Sequence, residues 1–361
     1  MPSRRSINFA LAAAYGQGFG FASNASPSLE RLAFPRDFGA HPDSRIEWWY
    51  LTGFLEAAAR LWGFQITFFR AATGTAVAAS SRFAAGQVIS AHAAITDVEN
   101  ARLRHDQRIA RSGFGIAEAS SEDTALVLHG WRLERRQSPG LSRYRTSAAS
   151  ESAGFRFDLT LEATEPVLVQ GEGGVSQKGP SATQSSRYYS EPQLAVRGTL
   201  GLDRGAPIAV TGRAWLDHEW SDSLLDASAV GWDWIGMNLD VGAALTAFRL
   251  RRADGTTLWA GGSFRPASGA TQNFAAAKVS FVAGRRWTSP ASKASYPVQW
   301  SIATPAGRFG VRAVLDDQEL DSRDSTGSIY WEGLSQLFDA NGRTIGRGYL
   351  EMTGYAARLV M

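Results

Sequence analysis

The amino-acid sequence predicts an all-β protein built from two similar antiparallel β domains. Short aromatic and β-branched runs alternate with turn residues at a spacing of roughly ten residues, which is typical of a β-barrel or a β-sandwich. No long run of the chain has the 3.6-residue periodicity of an amphipathic helix. Two pairs of motifs recur in the same order in both halves, and the 361 residues are too many for one ordinary core.

Strands are predicted wherever such a run lies between clusters of Gly, Pro, Asp or Ser. In the first half they span residues 46–55, 61–70, 88–97, 125–131, 155–161 and 194–200. In the second half they span residues 232–239, 244–250, 299–303 and 310–315. The first two strands of each half are predicted to form a hairpin. A Gly-, Ser- and Gln-rich segment from 170 to 186 predicts a long loop, and such loops often act as lids or binding loops.

The internal repeat rests on two similarities. In each half a Trp-rich strand opens a hairpin whose second strand ends in Phe-Arg, at residues 47–49 with 69–70 and at residues 232–234 with 248–249. Residues 186–189 also resemble residues 328–331, and a Gly-Arg strand follows each. The repeat predicts one domain at 31–222 and a second at 223–361. It also predicts that Asp217 and Glu351 occupy equivalent positions.

Composition excludes several classes of function. The net charge of +3 is spread along the chain, so no basic block interleaved with aromatic residues predicts a nucleic-acid partner. The absence of Cys excludes disulfides, thiol catalysis and thiolate metal sites. No apolar run approaches the ~18 residues of a membrane-spanning helix. The 12 Trp and 19 Phe suit a cavity for a small hydrophobic molecule, although they also suit a large β core.

Motifs for cofactors and metals are missing from the sequence. It contains no phosphate-binding loop, no dinucleotide fingerprint, no His-Glu-x-x-His and no Gly-x-Ser-x-Gly. The run Asp217-His218-Glu219 offers one imidazole and two carboxylates, but no second histidine lies near it in the sequence. We therefore predict neither a cofactor nor a metal. A Ser-His-Asp hydrolase stays open, although no serine is marked as activated.

The N-terminal residues 1–30 are predicted to be an export signal or a disordered arm. Ser3-Arg4-Arg5 precedes the mildly apolar residues 9–15, and the small residues 22–25 follow. That order of charged, apolar and small residues is typical of a bacterial signal peptide, and the paired arginines suggest the twin-arginine type. The sequence therefore predicts a periplasmic or secreted protein.

The densest group of chemically useful side chains runs from Ala214 to Asp222. Alternate side chains of a strand share a face, so His218 and Trp220 are predicted on one face and Asp217 on the other. His218 is a candidate proton carrier in a cavity wall; the alternative is a structural histidine bonded to the backbone. Asp217 is a candidate catalytic carboxyl; the alternative is a bond to a tryptophan N–H or to an arginine.

Two further carboxyls lie beside tryptophans. Asp233 is flanked by Trp232 and Trp234, and Glu47 precedes Trp48 and Trp49, of which Trp49 is a candidate substrate contact. A large apolar ring beside a carboxyl raises its pKa, because burial disfavours the charged form, and this prepares a general acid near neutral pH. Each carboxyl is thus either a neutral acid or a salt-bridged anchor; the anchor is slightly favoured for Glu47 and the choice stays open for Asp233.

Three other side chains are candidate ligand contacts. His92 lies in the middle of a predicted strand among small residues, which suggests open space beside it. A plain core histidine is the alternative. Tyr188 and Tyr189 follow the predicted long loop and can offer a hydroxyl to a ligand.

Three ordered runs carry a resemblance to a known family: His41-Pro42-Asp43-x-x-x-Glu47-Trp48-Trp49-Tyr50, Trp215-Leu216-Asp217-His218-Glu219-Trp220 and Gly231-Trp232-Asp233-Trp234. Together they resemble the AttH-like and carotenoid 1,2-hydratase (hydroxyneurosporene synthase) superfamily, and in particular its branch of predicted secreted bacterial hydrolases. The resemblance extends from about Phe34 to Tyr355. It implies two lipocalin-like antiparallel β-barrel domains side by side.

The resemblance also implies a chemistry that needs no cofactor. In the hydratase branch, water adds across a C=C bond of an apolar isoprenoid. By motif, the important His and Trp of that branch fall on His218 and Trp220, and its Asp proton donor falls on Asp233. Trp232 and Trp234 would then form aromatic walls that stabilise a carbocation. Two alternatives stay open: a lipocalin-like carrier without activity, and a secreted ester or amide hydrolase.

Overall fold

The structure is a computed structural model that describes residues 31–74, 86–137, 140–222 and 225–359. The predicted export segment, residues 1–30, lies outside the described residues. Over the described ranges the regular structure is almost all β-strand, and the helices there are two 3₁₀ turns at Arg36–Phe38 and Ala276–Lys278. Neither turn is long or apolar enough to span a membrane. The prediction of an all-β protein is confirmed.

The first sheet contains 13 antiparallel strands. They are β1 (Ile46–Ala57), β2 (Arg60–Ala72), β3 (Gln87–Asp97), β4 (Arg102–Arg111), β5 (Ala117–Ala119), β6 (Ala125–Leu128), β7 (Trp131–Gln137), β8 (Ser142–Ser150), β9 (Phe155–Glu162), β10 (Leu168–Val169), β11 (Val175–Gln177), β12 (Ser185–Leu202) and β13 (Ile208–Ser221). Their order is β4-β3-β2-β1-β13-β12-β9-β8-β7-β6-β5, and β10 and β11 pair with β12. The sheet curls so that its two ends meet. Arg108 of β4, at one end, donates to the carbonyls of His129 and Ala149, which lie near the other end.

The second sheet contains ten strands in the order β17-β16-β15-β14-β25-β24-β22-β21-β18, with β23 beside β24. The strands are β14 (Ala229–Leu239), β15 (Ala244–Arg252), β16 (Thr257–Arg265), β17 (Gln272–Asn273), β18 (Ser280–Ala283), β21 (Gln299–Thr304), β22 (Gly307–Ala313), β23 (Glu319–Ser322), β24 (Ser328–Phe338) and β25 (Thr344–Met352). β19 (Arg286–Thr288) and β20 (Ser295–Pro297) form a separate hairpin. Two large lipocalin-like antiparallel sheets therefore make up the described chain.

Most predicted strands are present, but two segments differ. The run 125–131 is two strands, because His129 and Gly130 both take left-handed backbone angles, with φ of 49° and 85°, and turn the chain. The strand predicted at 194–200 is the inner part of the much longer β12, which pairs on both edges. The loop predicted from 170 to 186 contains β11 and gives way to β12, so part of it is ordered by the sheet.

The repeat is visible in the strand registers. Glu47 faces Arg70 across β1 and β2, and Asp233 faces Arg249 across β14 and β15. In both sheets the strand that opens the hairpin also pairs with the last strand of its sheet. Trp48 faces Glu219 in the first sheet, as Trp234 faces Glu351 in the second. Glu351 is thus equivalent to Glu219. The predicted equivalence of Glu351 to Asp217 is wrong by two residues along the strand.

Four hydrophobic clusters organise the interior of the described chain, the smallest formed by Ala94, Leu320 and Tyr330. One fills the first sheet and includes Trp49, Tyr189 and Trp220, and another fills the second sheet around Ile235 and Trp300. The third lies between the two sheets and contains Tyr50, Trp215, Trp234 and Tyr349. β1 and β13 send side chains alternately to the first and the third cluster, because successive side chains of a strand point to opposite faces.

Candidate active site

The candidate site lies inside the first sheet, where β1, β13 and β12 run side by side. Their inward side chains form layers, which we number from the end that carries the N-terminal segment of residues 32–43. Layer 1 is Glu47 with Trp220, layer 2 is Trp49 with His218 and Tyr189, and layer 3 is Leu51 with Leu216 and Glu191. Polar groups that are far apart in the sequence meet here because the three strands are paired in register.

The N-terminal segment covers layer 1. Phe38 is buried and packs edge-on against Tyr189, with ring centroids 5.8 Å apart. The His41 ring stacks almost parallel on Trp220, at 3.6 Å between centroids and 7° between planes. The hydroxyl of Thr124 donates to the Phe38 carbonyl at 2.8 Å, which ties the segment to the sheet. The segment therefore brings His41 into the site from outside the strands.

A chain of hydrogen bonds connects the cover to layer 2. His41 Nδ1 and His218 Nε2 both lie 2.8 Å from the same Glu47 oxygen, Oε1. His41 Nε2 lies 3.3 Å from Asp37 Oδ1, and His218 Nδ1 lies 3.1 Å from the Tyr189 hydroxyl. We call these five residues, Asp37, His41, Glu47, His218 and Tyr189, the relay. His218 and Tyr189 are completely buried, whereas 18% of the His41 side chain is exposed.

The pKa values of the two histidines move in opposite directions. Burial disfavours the charge on His41, but hydrogen bonds to Asp37 and Glu47 and their negative charges outweigh burial and raise its pKa. At His218 burial dominates over the hydrogen bond to Glu47 and lowers the pKa. Although burial alone would raise the pKa of Glu47, its bonds to the two histidines hold that pKa well below its usual range.

These directions fix the sense of each hydrogen bond. A cationic His41 donates from both ring nitrogens, to Glu47 and to Asp37, which are both carboxylates. A neutral His218 donates from Nε2 to Glu47 and therefore accepts at Nδ1 from the Tyr189 hydroxyl. Burial raises the pKa of Tyr189 well above its usual value, so its proton stays on the oxygen. The relay thus holds an imidazolium, a carboxylate, a neutral imidazole and a phenol in sequence.

Arg70 completes the charge balance of the relay. Its side chain is fully buried, and its Nε donates to Glu47 Oε2 at 2.7 Å. Its Nη2 donates to the carbonyls of His41 and Ser44. Glu47 is therefore an ion-paired anchor, as the sequence slightly favoured, and it also links the two histidines.

The His41, Glu47 and His218 donor atoms all lie within 4.8 Å of one another, which makes them a candidate metal-ligand set. The second histidine that the sequence did not place near His218 is therefore present in space. However, both nitrogens contact the same carboxylate oxygen at hydrogen-bond distance, and Arg70 sets a positive charge against the other oxygen. A divalent cation would lie beside that guanidinium, so the donor set fits a proton relay better than a metal centre.

Asp217 lies on the opposite face of β13, between the two sheets. It accepts hydrogen bonds from Tyr188 Oη at 2.8 Å, Ser190 Oγ at 2.5 Å and Trp215 Nε1 at 2.7 Å. Burial raises its pKa to about 7. Trp234 Nε1 in turn donates to Tyr188 Oη at 3.3 Å. The structure therefore brings Asp217, Tyr188 and Trp234 together, but away from His218.

Asp233 and Trp232 also lie apart from the relay. Asp233 is inside the second sheet and completely buried, at 2.7 Å from Arg249 Nε and 3.2 Å from Arg251 Nε, and it accepts a hydrogen bond from Tyr355. Asp233 therefore takes the salt-bridged position, one of the two alternatives that the sequence left open, and it does not lie beside His218. Trp232 is only half-buried and packs in the cluster between the sheets.

His92 faces the second sheet. Its ring nitrogens lie 2.7 Å from Tyr330 Oη and 2.9 Å from Ser325 Oγ, and burial lowers its pKa to about 3. It is a neutral, fully bonded histidine between the sheets, in line with its alternative interpretation. Of the ten predicted site residues, the relay region contains His218, Trp220, Trp49 and Tyr189.

Sequence reasoning missed Asp37, His41 and Arg70 as site residues. His41 and Glu47 stood in the first family-like run, yet only the chain path over layer 1 shows that they meet His218. Glu191 was also missed, although it lies two residues after Tyr189 and therefore on the same strand face.

Comparisons with known proteins agree with this fold. The sequence matches the AttH-like family over residues 25–355. A crystal structure of a Nitrosomonas europaea protein assigned as AttH is similar to this chain, with 46% identity, a TM-score of 0.83, and coverage of 90% of this chain and 98% of that one. The crystal structure of kievitone hydratase from Nectria haematococca shares the fold at 16% identity and a TM-score of 0.69, covering 93% and 95% of the two chains.

One curated relative is kievitone hydratase from Fusarium solani subsp. phaseoli. It is 25% identical over 214 residues, which are 58% of this chain and 58% of the relative. The match therefore spans little more than half of the relative's length.

Proposed function

The chain belongs to the AttH-like family, and on that premise we propose that it is a hydratase that adds water across a C=C bond of a small hydrophobic molecule without a cofactor. The observation that carries the proposal is the relay, because it leads through the buried His218 to the Tyr189 hydroxyl within an aromatic interior. The similarity to a kievitone hydratase supports water addition as the reaction class.

The relay supplies the base that hydration needs. The Tyr189 hydroxyl donates to His218 Nδ1, so Tyr189 can take a proton from water while its own proton passes to His218. The imidazolium that forms is stabilised by Glu47, 2.8 Å from Nε2. Glu47 thus orients His218 and compensates its transient charge.

The surroundings suit an apolar substrate and a cationic intermediate. The indole of Trp49 stacks on His218 at 4.5 Å between centroids, and the ring of Trp220 lies 4.9 Å from it. The faces of such rings attract positive charge, so a carbocation formed beside them is stabilised. The aromatic walls also exclude bulk water, which strengthens every electrostatic contact inside.

Export remains part of the proposal. The Ser3-Arg4-Arg5 run and the apolar residues after it support a signal that directs the protein to the periplasm or beyond. We propose no nucleic-acid partner.

The test is a hydration assay on purified protein with kievitone and geraniol as probes, read by mass spectrometry as the gain of one water. We expect turnover of at least one probe, and Tyr189→Phe should lower kcat by roughly 10²–10⁴-fold because the proton path to His218 is cut. Tyr188→Phe is the matched control: its hydroxyl lies on the opposite strand face and bonds Asp217, so kcat should stay at the wild-type value.

Probe binding without any turnover would favour a carrier and contradict the hydratase. Binding is followed by quenching of tryptophan fluorescence. Equal loss of activity in both tyrosine variants would show that the relay has no specific role.

A further inference from the structure

Glu191 is a buried carboxyl in layer 3, one layer deeper than His218. It lies two residues after Tyr189 on β12, and Leu216 faces it across β13. Only 1% of the residue is exposed. It therefore lies in the same interior as the relay, farther from the N-terminal segment that covers layer 1.

Only one of the two carboxyl oxygens of Glu191 has hydrogen-bond partners among the described residues. Ser142 Oγ donates to Glu191 Oε1 at 2.7 Å, and Tyr144 Oη donates to the same oxygen at 2.9 Å. Among the described residues no group bonds Oε2, although this atom is buried. The carbonyl oxygen of a carboxylic acid accepts two such bonds, and in the acid form the free Oε2 would carry the proton. A buried O–H without a partner costs about 1–3 kcal/mol, so it calls for an explanation.

The electrostatic surroundings favour the acid form. Burial raises the pKa of Glu191, against the hydrogen bonds from Ser142 and Tyr144 and the charge of Arg135. Arg135 is itself paired with Asp123 at 2.9 Å and bonds Ser142 rather than Glu191. The charge of Arg135 is thus balanced by Asp123, and Arg135 contacts Ser142, which in turn bonds the Glu191 carboxyl.

Another unpartnered polar atom lies in the layer above. The indole Nε1 of Trp49 is buried and has no hydrogen-bond partner in the described chain. Trp49 is in layer 2 and Glu191 in layer 3. Two polar atoms without a hydrogen-bond partner, Trp49 Nε1 and Glu191 Oε2, therefore belong to neighbouring layers of one interior. Both groups can serve a bound molecule that carries an alkene and a polar end.

We infer that Glu191 is the proton donor of the hydratase, a catalytic residue opposite in role to His218. This inference rests on the proposed function. The Oε2–H bond breaks as its proton forms a C–H bond with one alkene carbon, which leaves a cation on the other carbon. Water then forms the C–O bond and loses a proton through Tyr189 to His218. Return of that proton from His218 to Glu191 closes the cycle, so one water is consumed and no oxidant is needed.

The experiment follows deuterium from solvent with the same two probes. In D₂O the wild type should place one deuterium on the carbon next to the new hydroxyl-bearing carbon. Glu191→Gln keeps the size and the Oε1 acceptor but removes the acidic proton. We expect it to lower kcat by roughly 10²–10⁴-fold and to keep the wild-type KM. His218→Asn should slow hydration yet still exchange deuterium into recovered alkene, because reversible protonation needs only the acid.

Glu332→Gln is the matched control. Glu332 is also a buried glutamate, and burial, followed by the charge of Glu351, raises its pKa. It belongs to β24 of the second sheet and accepts a hydrogen bond from Gln65 of the first sheet, outside the interior that contains Glu191. Its variant should hydrate like the wild type. If Glu191→Gln does not fold, as judged by circular dichroism, Glu191→Asp replaces it: a retracted acid should slow both hydration and deuterium exchange.

The outcomes separate the two proposals. A wild type that hydrates neither probe overturns the proposed function and this inference with it. A Glu191 variant that matches the wild type in hydration and exchange overturns only the inference. Loss of binding together with activity would assign Glu191 a structural role and would also overturn it.

Discussion

Glu47 is the residue on which the relay depends. It accepts hydrogen bonds from His41, His218 and Arg70, and Arg70 is fully buried with it. Glu47→Gln would leave that guanidinium buried without a counter-charge. We expect a loss of about 3–5 kcal/mol in the free energy of unfolding, measured by denaturant titration.

The control for this prediction is Glu56→Gln. Glu56 pairs with Arg347 at 2.7 Å on the surface, where both side chains are substantially exposed. Exposed ion pairs contribute about 0–1 kcal/mol, so this variant should be nearly neutral. A Glu47 variant as stable as the Glu56 variant would contradict the role given to the buried pair.

The pH dependence of hydration follows from two residues with opposite shifts. His218 must be neutral to accept a proton, and its pKa is lowered, so kcat/KM should fall only when the pH drops below that pKa. Glu191 must be protonated, and its pKa is raised, so kcat/KM should fall again as the pH rises through it. A bell-shaped profile is expected. Glu191→Asp should move one limb and leave the other in place; movement of both limbs would argue against this assignment.

Alternation along a strand predicted that His218 and Trp220 share a face, and the structure has both on the inward face of β13. The family resemblance put the proton donor on Asp233, and its flanking tryptophans suggested burial, but burial alone does not reveal whether an arginine is near. Arg249 and Arg251 reach Asp233 from the neighbouring strand, and no single-sequence pattern specifies that contact.

At the scale of elements, the two faces of β13 carry titratable groups whose pKa values are shifted in opposite directions. Its inward face carries His218, whose pKa is lowered, and its outward face carries Asp217, whose pKa is raised by burial to about 7. The folded state binds a proton on Asp217 that the unfolded chain releases near its ordinary pKa of 3.8. This proton therefore stabilises the fold fully below that value, and the contribution is lost as the pH rises to about 7.

Asp217→Asn should remove this dependence. The difference in unfolding free energy between variant and wild type should change with pH by at most about 1.4 kcal/mol per unit across that window, in favour of the variant at higher pH. Denaturant titrations at several pH values measure it. Asp254→Asn is the control, since the exposed Asp254 has a lowered pKa and stays ionised throughout. A pH-independent difference for Asp217→Asn would refute the protonated state.

The position of the N-terminal segment, residues 32–43, does not follow from local sequence. Its Pro, Gly and Asp residues are typical of an ordered loop, and the structure has the 3₁₀ turn Arg36–Phe38 there. Its function as a cover depends on tertiary contacts: Phe38 with Tyr189, and His41 with Trp220. Both partners are on strands more than 140 residues away, beyond the reach of local sequence patterns.

At the scale of the whole molecule, the fold class and the internal repeat could be read from the sequence. Strand periodicity predicted the all-β class, and the recurring Trp-rich hairpins match in the registers Glu47↔Arg70 and Asp233↔Arg249. The side-chain contacts between the two sheets could not be predicted. It is held by side chains such as Gln65, which donates to Glu332 at 2.7 Å, and His92, which bonds Tyr330. Such contacts depend on how two sheets are oriented in space.

The carboxylate–arginine pair occurs once in each sheet, but the imidazole occurs in only one of them. Where the first sheet has Trp49 and His218, the matching registers of the second have Ile235 and Leu350. The ion pair is thus common to both sheets, whereas the imidazole at this register belongs to the first. The second sheet is therefore an internal reference for the proposed site, and Leu350→His would place a histidine at the register that matches His218.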